Sequence, residues 1–269
     1  MPLADLIKDS GFDWRLSALG GGLNRSMQHI DKNVSFFRNP ALIDNVEATM
    51  FIGHYALALA AKKTAPQVSL GILFLACQLA DMIWPNLVLL GIEVLEVEPG
   101  ITVMTPLNFV HYPYSHSLVA LTLWSAIFGA AYALLRRSGI KAAIVIAVLV
   151  LSHWVLDVLT HRPDMPITLI DSSPIGFGLW NFPIVAVPLE LLLFGAGIWL
   201  YTRHTKPLNR QGSIGFWALI LFLLVVYAAS LLGPPPPSAT AVAWSGQALW
   251  LVIAWGFWVD HHRVKRSDD

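Results

Sequence analysis

Residues 142–159 have the sequence AAIVIAVLVLSHWVLDVL, and this stretch decides the fold class. Eighteen residues of α-helix extend about 27 Å, close to the ~30 Å of hydrocarbon in a bilayer. His153 and Asp157 are the only ionisable residues in the stretch, and they are four residues apart. That spacing places both side chains on one face of a helix. The stretch therefore predicts a membrane-spanning helix with a polar pair on one side.

The composition of the whole chain also indicates a membrane protein. Of its 269 residues, 56% are hydrophobic and 13% are charged, and the mean hydropathy is +0.61. Soluble domains carry roughly 25% charged residues, so this chain has too few to cover a water-facing surface. The formal net charge of +0 gives no basic surface for nucleic acid. We predict an all-α, multi-pass transmembrane bundle whose surrounding partner is the lipid bilayer.

Six stretches are long and apolar enough to cross a bilayer. They lie near Val68–Ile92, Ser115–Leu135, Ala142–Leu159, Pro183–Tyr201, Ile214–Leu232 and Ala239–Trp258. Residues 51–61 are apolar but too short to cross, which predicts a half-helix dipping into the membrane. Residues 1–49 are polar. We expect them to be an extension in front of a transmembrane domain at 50–269, with Met50 as the native start.

Basic residues mark one side of the predicted spans. They occur at 62–63, 136–141, 203–210 and 263–266, which fall at alternate ends of the spans. Loops rich in Lys and Arg stay in the cytoplasm. We therefore expect a cytoplasmic C-terminus.

Carboxylates are rare within the long spans, and those present favour the non-cytoplasmic half. They are Asp81, Asp157 and Glu190. A carboxylate inside a bilayer is costly, so it usually faces the interior of a bundle and marks a functional site. Their similar depth predicts that they meet there.

Histidines are predicted at the same depth as the carboxylates. His153 precedes Asp157 by one helical turn, His116 begins the second span, and His54 lies on the half-helix. Imidazole and carboxylate on facing helices form a typical site for zinc or manganese. The single cysteine, Cys77, excludes a thiolate cluster. The sequence predicts a divalent-metal site, with zinc first and manganese second, although a His–Asp pair can also be a structural hydrogen bond.

Two segments resemble a known family. Tyr114-Ser115-His116-Ser117-Leu118 and Ser152-His153-Trp154-Val155-Leu156-Asp157 resemble the YdjM-like bacterial inner-membrane metal-dependent hydrolases. Gly53-His54 and Asp81-Met82-Ile83-Trp84-Pro85 fit the same pattern, and the resemblance covers most of residues 50–200. That family is distantly similar to zinc-dependent phospholipase C and P1-type nucleases, which are all-helical phosphodiesterases with several zinc ions.

The resemblance implies a set of metal ligands. Carried over one position at a time, it assigns His54, Asp81, His116, His153 and Asp157. His161 occupies the next position in that order. The order then breaks, because Ala186 stands where a histidine should precede Glu190 by four residues. The resemblance therefore implies one or two metal ions rather than three.

The residues and the resemblance together predict a metal-dependent hydrolase at the outer face of the plasma membrane. Its expected substrate is a phosphoester, either a small molecule or a lipid. Glu190 and His161 are the predicted acid–base groups, and Arg162 is the predicted anion clamp.

Two other classes of protein fit the same residues. One is an ion- or proton-coupled transporter, although no inverted repeat supports it, and the other is a scaffold in which His–Asp pairs only hold helices together.

Overall fold

Helices form most of the structure, a computed structural model that describes residues 52–136, 139–170 and 173–266. In chain order they are α1 (Ile52–Ala61), α2 (Leu70–Cys77), α3 (Leu79–Leu89), α4 (Pro113–His116), α5 (Leu118–Arg136), α6 (Ile140–Thr160), α7 (Pro183–His204), α8 (Arg210–Leu232), α9 (Ala239–Gly246) and α10 (Leu249–His261). A 3₁₀ turn covers Leu179–Asn181. The predicted N-terminal extension and Met50 lie outside the described residues.

The long helices account for the predicted spans. Five are long and apolar enough to cross a membrane: α5, α6, α7, α8 and the stretch Ala239–His261 that contains α9 and α10. α2 and α3 pass the same test together, with a bend of 56° between them, so the number is six if this pair is one span. α1 has 10 residues and is too short. The prediction of an all-α, multi-pass membrane bundle is confirmed.

The span predicted near Val68–Ile92 corresponds to α2 and α3 together, and the chain bends by 56° at Gln78 between them. In an uninterrupted helix the carbonyl of Cys77 would accept from the amide of Asp81. Here that carbonyl lies 2.8 Å from Nδ1 of His153, which belongs to α6. A side chain that enters the backbone hydrogen-bond ladder is a known cause of helix bending.

The second span begins later than predicted, at Leu118 rather than at Ser115. Ser117 caps its first turn, since the Ser117 hydroxyl accepts from the amide of Ala120 at 3.0 Å. His116 therefore lies in the separate short helix α4, just before the span. Its side chain is positioned by that turn and not by the span itself.

The half-helix α1 lies in the core of the bundle, as its apolar sequence requires. Ile52, Tyr55, Ala58 and Leu59 have 0% exposure. α1 packs against α7 at Gly197, where a Cβ atom would lie 2.5 Å from the carbonyl oxygen of Ala56. A side chain at that position has no room, so glycine permits the close approach of the two helices.

Two small antiparallel ladders supplement the helices, and the sequence analysis did not predict them. β1 (Val94–Val97) pairs with β2 (Leu107–His111) in a hairpin. β3 (Thr205–Pro207) pairs with β4 (Arg263–Lys265). Strands of three to five residues show too little alternation to be recognised in a sequence this apolar. The first hairpin matters for function because it follows directly on Glu93.

A buried arginine joins the ends of three helices on the other side of the bundle. Arg263 stacks over the rings of Tyr201 and Phe216, with its guanidinium carbon 5.2 and 4.9 Å from their centroids. Its guanidinium also donates to the hydroxyl of Thr205 and the carbonyl of Gly212. These contacts fix the ends of α7, α8 and α10, so the helices cannot slide past one another there.

The contact between α1 and α7 yields a test of the packing. We expect Gly197→Ala to lower the free energy of unfolding by about 1–3 kcal/mol, because the added methyl overlaps the backbone of α1. Gly195→Ala is the matched control, since its added Cβ would have nothing within 4 Å. Both changes carry the same gain in helix propensity. Thermal unfolding in detergent measures the difference, and equal stabilities would show that α1 does not pack closely on α7.

Candidate metal centre

The five predicted metal ligands come together, although four separate helices carry them. His54 lies on α1, Asp81 on α3, His116 on α4, and both His153 and Asp157 on α6. The three imidazoles are 1–3% exposed. Their meeting point lies near the end of the bundle at which α6 and α8 finish, which we call the site end.

Asp157 is the acceptor at the centre of this cluster. Its Oδ1 lies 3.2 Å from Nε2 of His54, and its Oδ2 lies 3.1 Å from Nε2 of His153. Nε2 of His116 is 3.8 Å from the same Oδ2. All three histidines therefore direct the same ring nitrogen at one carboxylate.

Asp81 forms a second group together with two of the histidines. Its Oδ1 lies 3.4 Å from Nε2 of His116 and 3.7 Å from Nε2 of His153. Two triads result, His54–His153–Asp157 and Asp81–His116–His153, and the candidate ligand atoms of each lie within 4.8 Å of one another. Because the triads share His153, the cluster has room for one ion or for two adjacent ions.

The tautomer of His153 is fixed by the bend between α2 and α3. Its Nδ1 donates to the carbonyl of Cys77 at 2.8 Å, since a carbonyl can only accept. In a neutral imidazole the other nitrogen is then an acceptor. Two acceptors, Nε2 of His153 and Oδ2 of Asp157, face each other at 3.1 Å and repel unless a proton or a cation lies between them. The donor set therefore fits a divalent metal ion.

His116 is fixed in the same way through a serine. Its Nδ1 lies 2.7 Å from Oγ of Ser115, and that hydroxyl donates to Oε2 of Glu93 at 2.6 Å. The serine oxygen thus accepts from Nδ1 of His116, which leaves Nε2 of His116 free as a ligand. Glu93 also accepts from the amides of Tyr114 and Ser115, at 2.8 and 2.9 Å. The Glu93–Ser115–His116 chain is a typical outer layer of a metal site.

Glu93 was not assigned to the site by the sequence analysis. It is 1% exposed, whereas Glu96 and Glu98 nearby are exposed. Nothing in the sequence separates the three, because the β1–β2 hairpin alone brings residue 93 back to residue 115. A glutamate at a strand edge is ordinarily a solvated residue.

His54 differs from the other two histidines in its second nitrogen. Its ring stacks on that of His153, with centroids 4.0 Å apart and planes at 10°. Its Nδ1 is buried and has no hydrogen-bond partner among the described residues. Stacking on His153 and the contact of Nε2 with Asp157 therefore orient this imidazole, and no partner holds its Nδ1 among the described residues.

Glu190 lies beside α1 and not in the cluster. Its Oε1 accepts from the amide of Gly53 at 3.1 Å, next to His54 in the chain. The side chain is 2% exposed and interacts with the phenol of Tyr227 on α8. This contact satisfies one of the free amides at the N-terminus of α1 and places a negative charge at the positive end of the helix dipole.

His161 lies next to the cluster and is held by its own carboxylate. It follows α6 directly, and its Nδ1 lies 3.0 Å from Oδ1 of Asp164. The phenol of Tyr112 donates to the same oxygen at 3.2 Å. Burial, followed by the charge of Asp164, raises the pKa of Tyr112 above its ordinary value, so this phenol keeps its proton at neutral pH. Asp164 and Tyr112 are further residues that the sequence analysis did not assign.

Arg162 points away from the cluster. Its guanidinium donates to Oδ2 of Asp164 at 2.9 Å and to Oδ1 of Asn108 at 2.6 Å. These bonds join the loop after α6 to strand β2. The arginine also balances the charge of Asp164, which is the partner of His161.

A cavity of about 400 Å³ opens beside the cluster. Its polar end is formed by Asp81, His116, Asp157 and His161. Its remaining walls are mainly apolar and include Trp84, Phe109, Trp180, Phe222, Val226, Val242, Leu249 and Val252. Glu190 and Arg162 do not line it. The volume is within the range of roughly 300–1,000 Å³ that is typical of small-molecule sites.

Comparison of the chain with protein-family models, with curated proteins and with solved structures gave no match. The resemblance to YdjM-like hydrolases therefore stays a prediction. The class that the fold and the cluster define is that of a multi-pass helical membrane protein with a buried His/Asp site.

The carboxylate of Glu93 gives a prediction that separates a metal centre from a plain ion pair. We expect Glu93→Gln to weaken zinc binding by about 10–100-fold, since the hydroxyl of Ser115 loses the carboxylate that orients it towards accepting from His116. Glu96→Gln, at an exposed position in the same hairpin, should leave zinc binding unchanged. Competition with a zinc chelator measures both affinities. Equal affinities in the two variants would remove Glu93 from the site.

Proposed function

We propose that this chain is a membrane-bound, metal-dependent hydrolase that cleaves phosphoesters. The observation that carries the proposal is the cluster itself, in which three buried imidazoles direct Nε2 at two carboxylates. The cavity at its open side gives a substrate access to these groups. Zinc is the expected ion and manganese the second choice, because the donors are nitrogen and oxygen only.

The proposed ligands are the five residues of the cluster: His54, Asp81, His116, His153 and Asp157. When bound, a divalent ion supplies Lewis-acid chemistry at a phosphoryl oxygen and makes water more acidic. Cys77 and Ser115 hold two of the histidines in the tautomer that binds metal. Preorganisation of this kind reduces the entropy that is lost on binding.

His161 is proposed to move the proton in the reaction. It lines the cavity next to Asp157 and His116. Its Nδ1 is occupied by Asp164, so Nε2 is the nitrogen that exchanges a proton with water or with the leaving group. This arrangement of a carboxylate, a histidine and a reacting group is typical of general acid–base catalysis.

The other two predicted site residues are proposed to act through their neighbours. The contact of Glu190 with Gly53 supports a role in holding the N-terminus of α1, and with it His54. The bonds of Arg162 to Asp164 and Asn108 support a role in orienting His161. Neither side chain lines the cavity where a phosphoester would lie.

We propose that the site end faces the outside of the plasma membrane and that the C-terminus is cytoplasmic. Lys62, Lys206, Arg263 and Lys265 all lie at the opposite end of the bundle, where α1, α7 and α10 finish. The positive-inside bias supports a cytoplasmic position for that end.

The main test measures metal and activity together. Purified protein should contain near-stoichiometric zinc or manganese and should hydrolyse bis(p-nitrophenyl) phosphate. His153→Ala should lose both, because His153 belongs to both triads. His261→Ala, an exposed histidine at the opposite end, is the matched control and should retain both. Metal-free protein with an unchanged fold would contradict the proposal.

The scaffold alternative is separated by Asp81→Asn. If the ion pairs only hold helices together, this change should lower the melting temperature. If Asp81 is a ligand at the cavity, the variant should stay folded and lose hydrolysis. The side chain of Asp81 is 30% exposed, and the other carboxylate of the cluster, Asp157, still faces His116 and His153 in this variant.

A further prediction separates a proton-transfer role of His161 from a ligand role. His161→Gln should keep the metal content and lower kcat by about 10²–10⁴-fold, because general acid–base catalysis is lost. Asp164→Asn should lower kcat less and shift the pH profile, since it removes only the orienting group. Loss of metal from His161→Gln would instead make this residue a sixth ligand.

A further inference from the structure

We infer that the cavity admits a membrane phospholipid sideways from the bilayer, through an opening between α8 and the junction of α9 with α10. The site that would act on this lipid rests on the proposed function, whereas the binding of the lipid does not. Four observations support the inference. They are the position of the opening, the aromatic wall at the site end, the depth of the opening, and the division of the cavity lining into a polar and an apolar part.

The opening lies between residues that line the cavity and are also exposed. On α8 this residue is Phe222, which is 41% exposed. On the other side it is Ser245 on α9 and Ala248 between α9 and α10, both exposed. Small residues at the helix junction keep this side wide. The cavity is therefore accessible between two membrane-spanning stretches.

Aromatic residues close the cavity at the site end. Trp84, Phe109 and Trp180 line it there and are 7%, 8% and 3% exposed. The ring of Phe109 lies between the two indoles, with centroids 5.4 Å from Trp84 and 6.2 Å from Trp180. The ring of Trp180 in turn contacts His161, at 4.1 Å between centroids. Phe109 belongs to β2, so the β1–β2 hairpin contributes to this aromatic wall at the site end.

The opening lies at the depth of the acyl chains. Phe222 is ten residues before the end of α8, and Ala248 is nine residues after the start of α9. At about 1.5 Å per residue, both lie roughly 14–15 Å from the site end, which is about half of the ~30 Å hydrocarbon layer. Asp157 is three residues, or about 5 Å, before the end of α6. The His/Asp cluster therefore lies closer to the site end than the opening does, by about 10 Å.

The lining of the cavity indicates the chemistry of its ligand. Asp81, His116, Asp157 and His161 form one polar end, and apolar side chains form most of the remaining wall. A ligand with an oxygen-rich head and an apolar tail matches the polar end and the apolar opening. A glycerophospholipid has this form.

The test uses a lipid probe and does not depend on catalysis. Protein is reconstituted with phosphatidylglycerol that carries a diazirine in the middle of one acyl chain, and crosslinked peptides are mapped after illumination. We expect labelling to concentrate on the cavity walls of α8, α9 and α10. Unlabelled phosphatidylglycerol should compete, whereas glycerol phosphate added to the water should not. Competition by glycerol phosphate would show that the site binds a soluble phosphate instead.

A pair of variants controls for labelling of the outer surface. Ala248→Trp narrows the opening and should reduce labelling of the cavity walls about fivefold, because a pocket of this size cannot hold both groups. Ala228→Trp adds the same ring at an exposed position of α8 that does not line the cavity. It should leave the labelling unchanged. Val226→Trp, on the other side of the opening, repeats the test if Ala248→Trp does not fold.

The outcomes separate this inference from the proposed hydrolase activity. Labelling that is spread evenly over the lipid-facing helices, or that is equal in the two tryptophan variants, overturns the lipid site. If bis(p-nitrophenyl) phosphate is still hydrolysed, the hydrolase survives that result. Cavity labelling in a protein that holds no metal and hydrolyses nothing would keep the lipid site and remove the enzyme. In His153→Ala, labelling should persist, since His153 does not line the cavity.

Discussion

The cluster of His153, Asp157 and Asp81 imposes the constraint on which the remaining structure depends. Two carboxylates lie inside a membrane protein, where charge is costly unless it is balanced. His153 faces both, and its own position is set by the carbonyl of Cys77 at the bend between α2 and α3. The bend places that carbonyl where it can accept from His153, so the bend and the cluster share one hydrogen bond.

Several features far from the cluster serve the same requirement. Gly197 allows α1 to approach α7 closely, which brings His54 into the interior. Glu190 accepts a hydrogen bond from the amide of Gly53 at the start of α1. The β1–β2 hairpin brings Glu93 within hydrogen-bond distance of Ser115. The first two contacts position His54 on α1, and the third positions His116 through Ser115. The site therefore consists of two layers, and the outer layer fixes which nitrogen of His153 and of His116 faces the carboxylates.

The cavity joins this polar site to an apolar surface. Its charged residues are all at one end, and valine, leucine and aromatic side chains form most of the rest. Such a division suits a substrate whose reactive part is polar and whose bulk is not. The rings of Trp84, Phe109 and Trp180 form the wall beside the polar end, and this apolar surrounding strengthens the electrostatic interactions there.

The sequence by itself determined the membrane class, the approximate spans and the pairing of His153 with Asp157, and the family resemblance added the other three residues that the structure brings together with them. Hydrophobic length is a local property, and the spacing of His153 and Asp157 fixes a shared helix face. Only the tertiary structure decided the bend at Gln78, the outer residues Glu93 and Asp164, and the positions of Glu190 and Arg162. The reason is distance along the chain. His153 meets Cys77 across 76 residues and Ser115 meets Glu93 across 22, and no periodicity encodes contacts that depend on how helices and a hairpin pack.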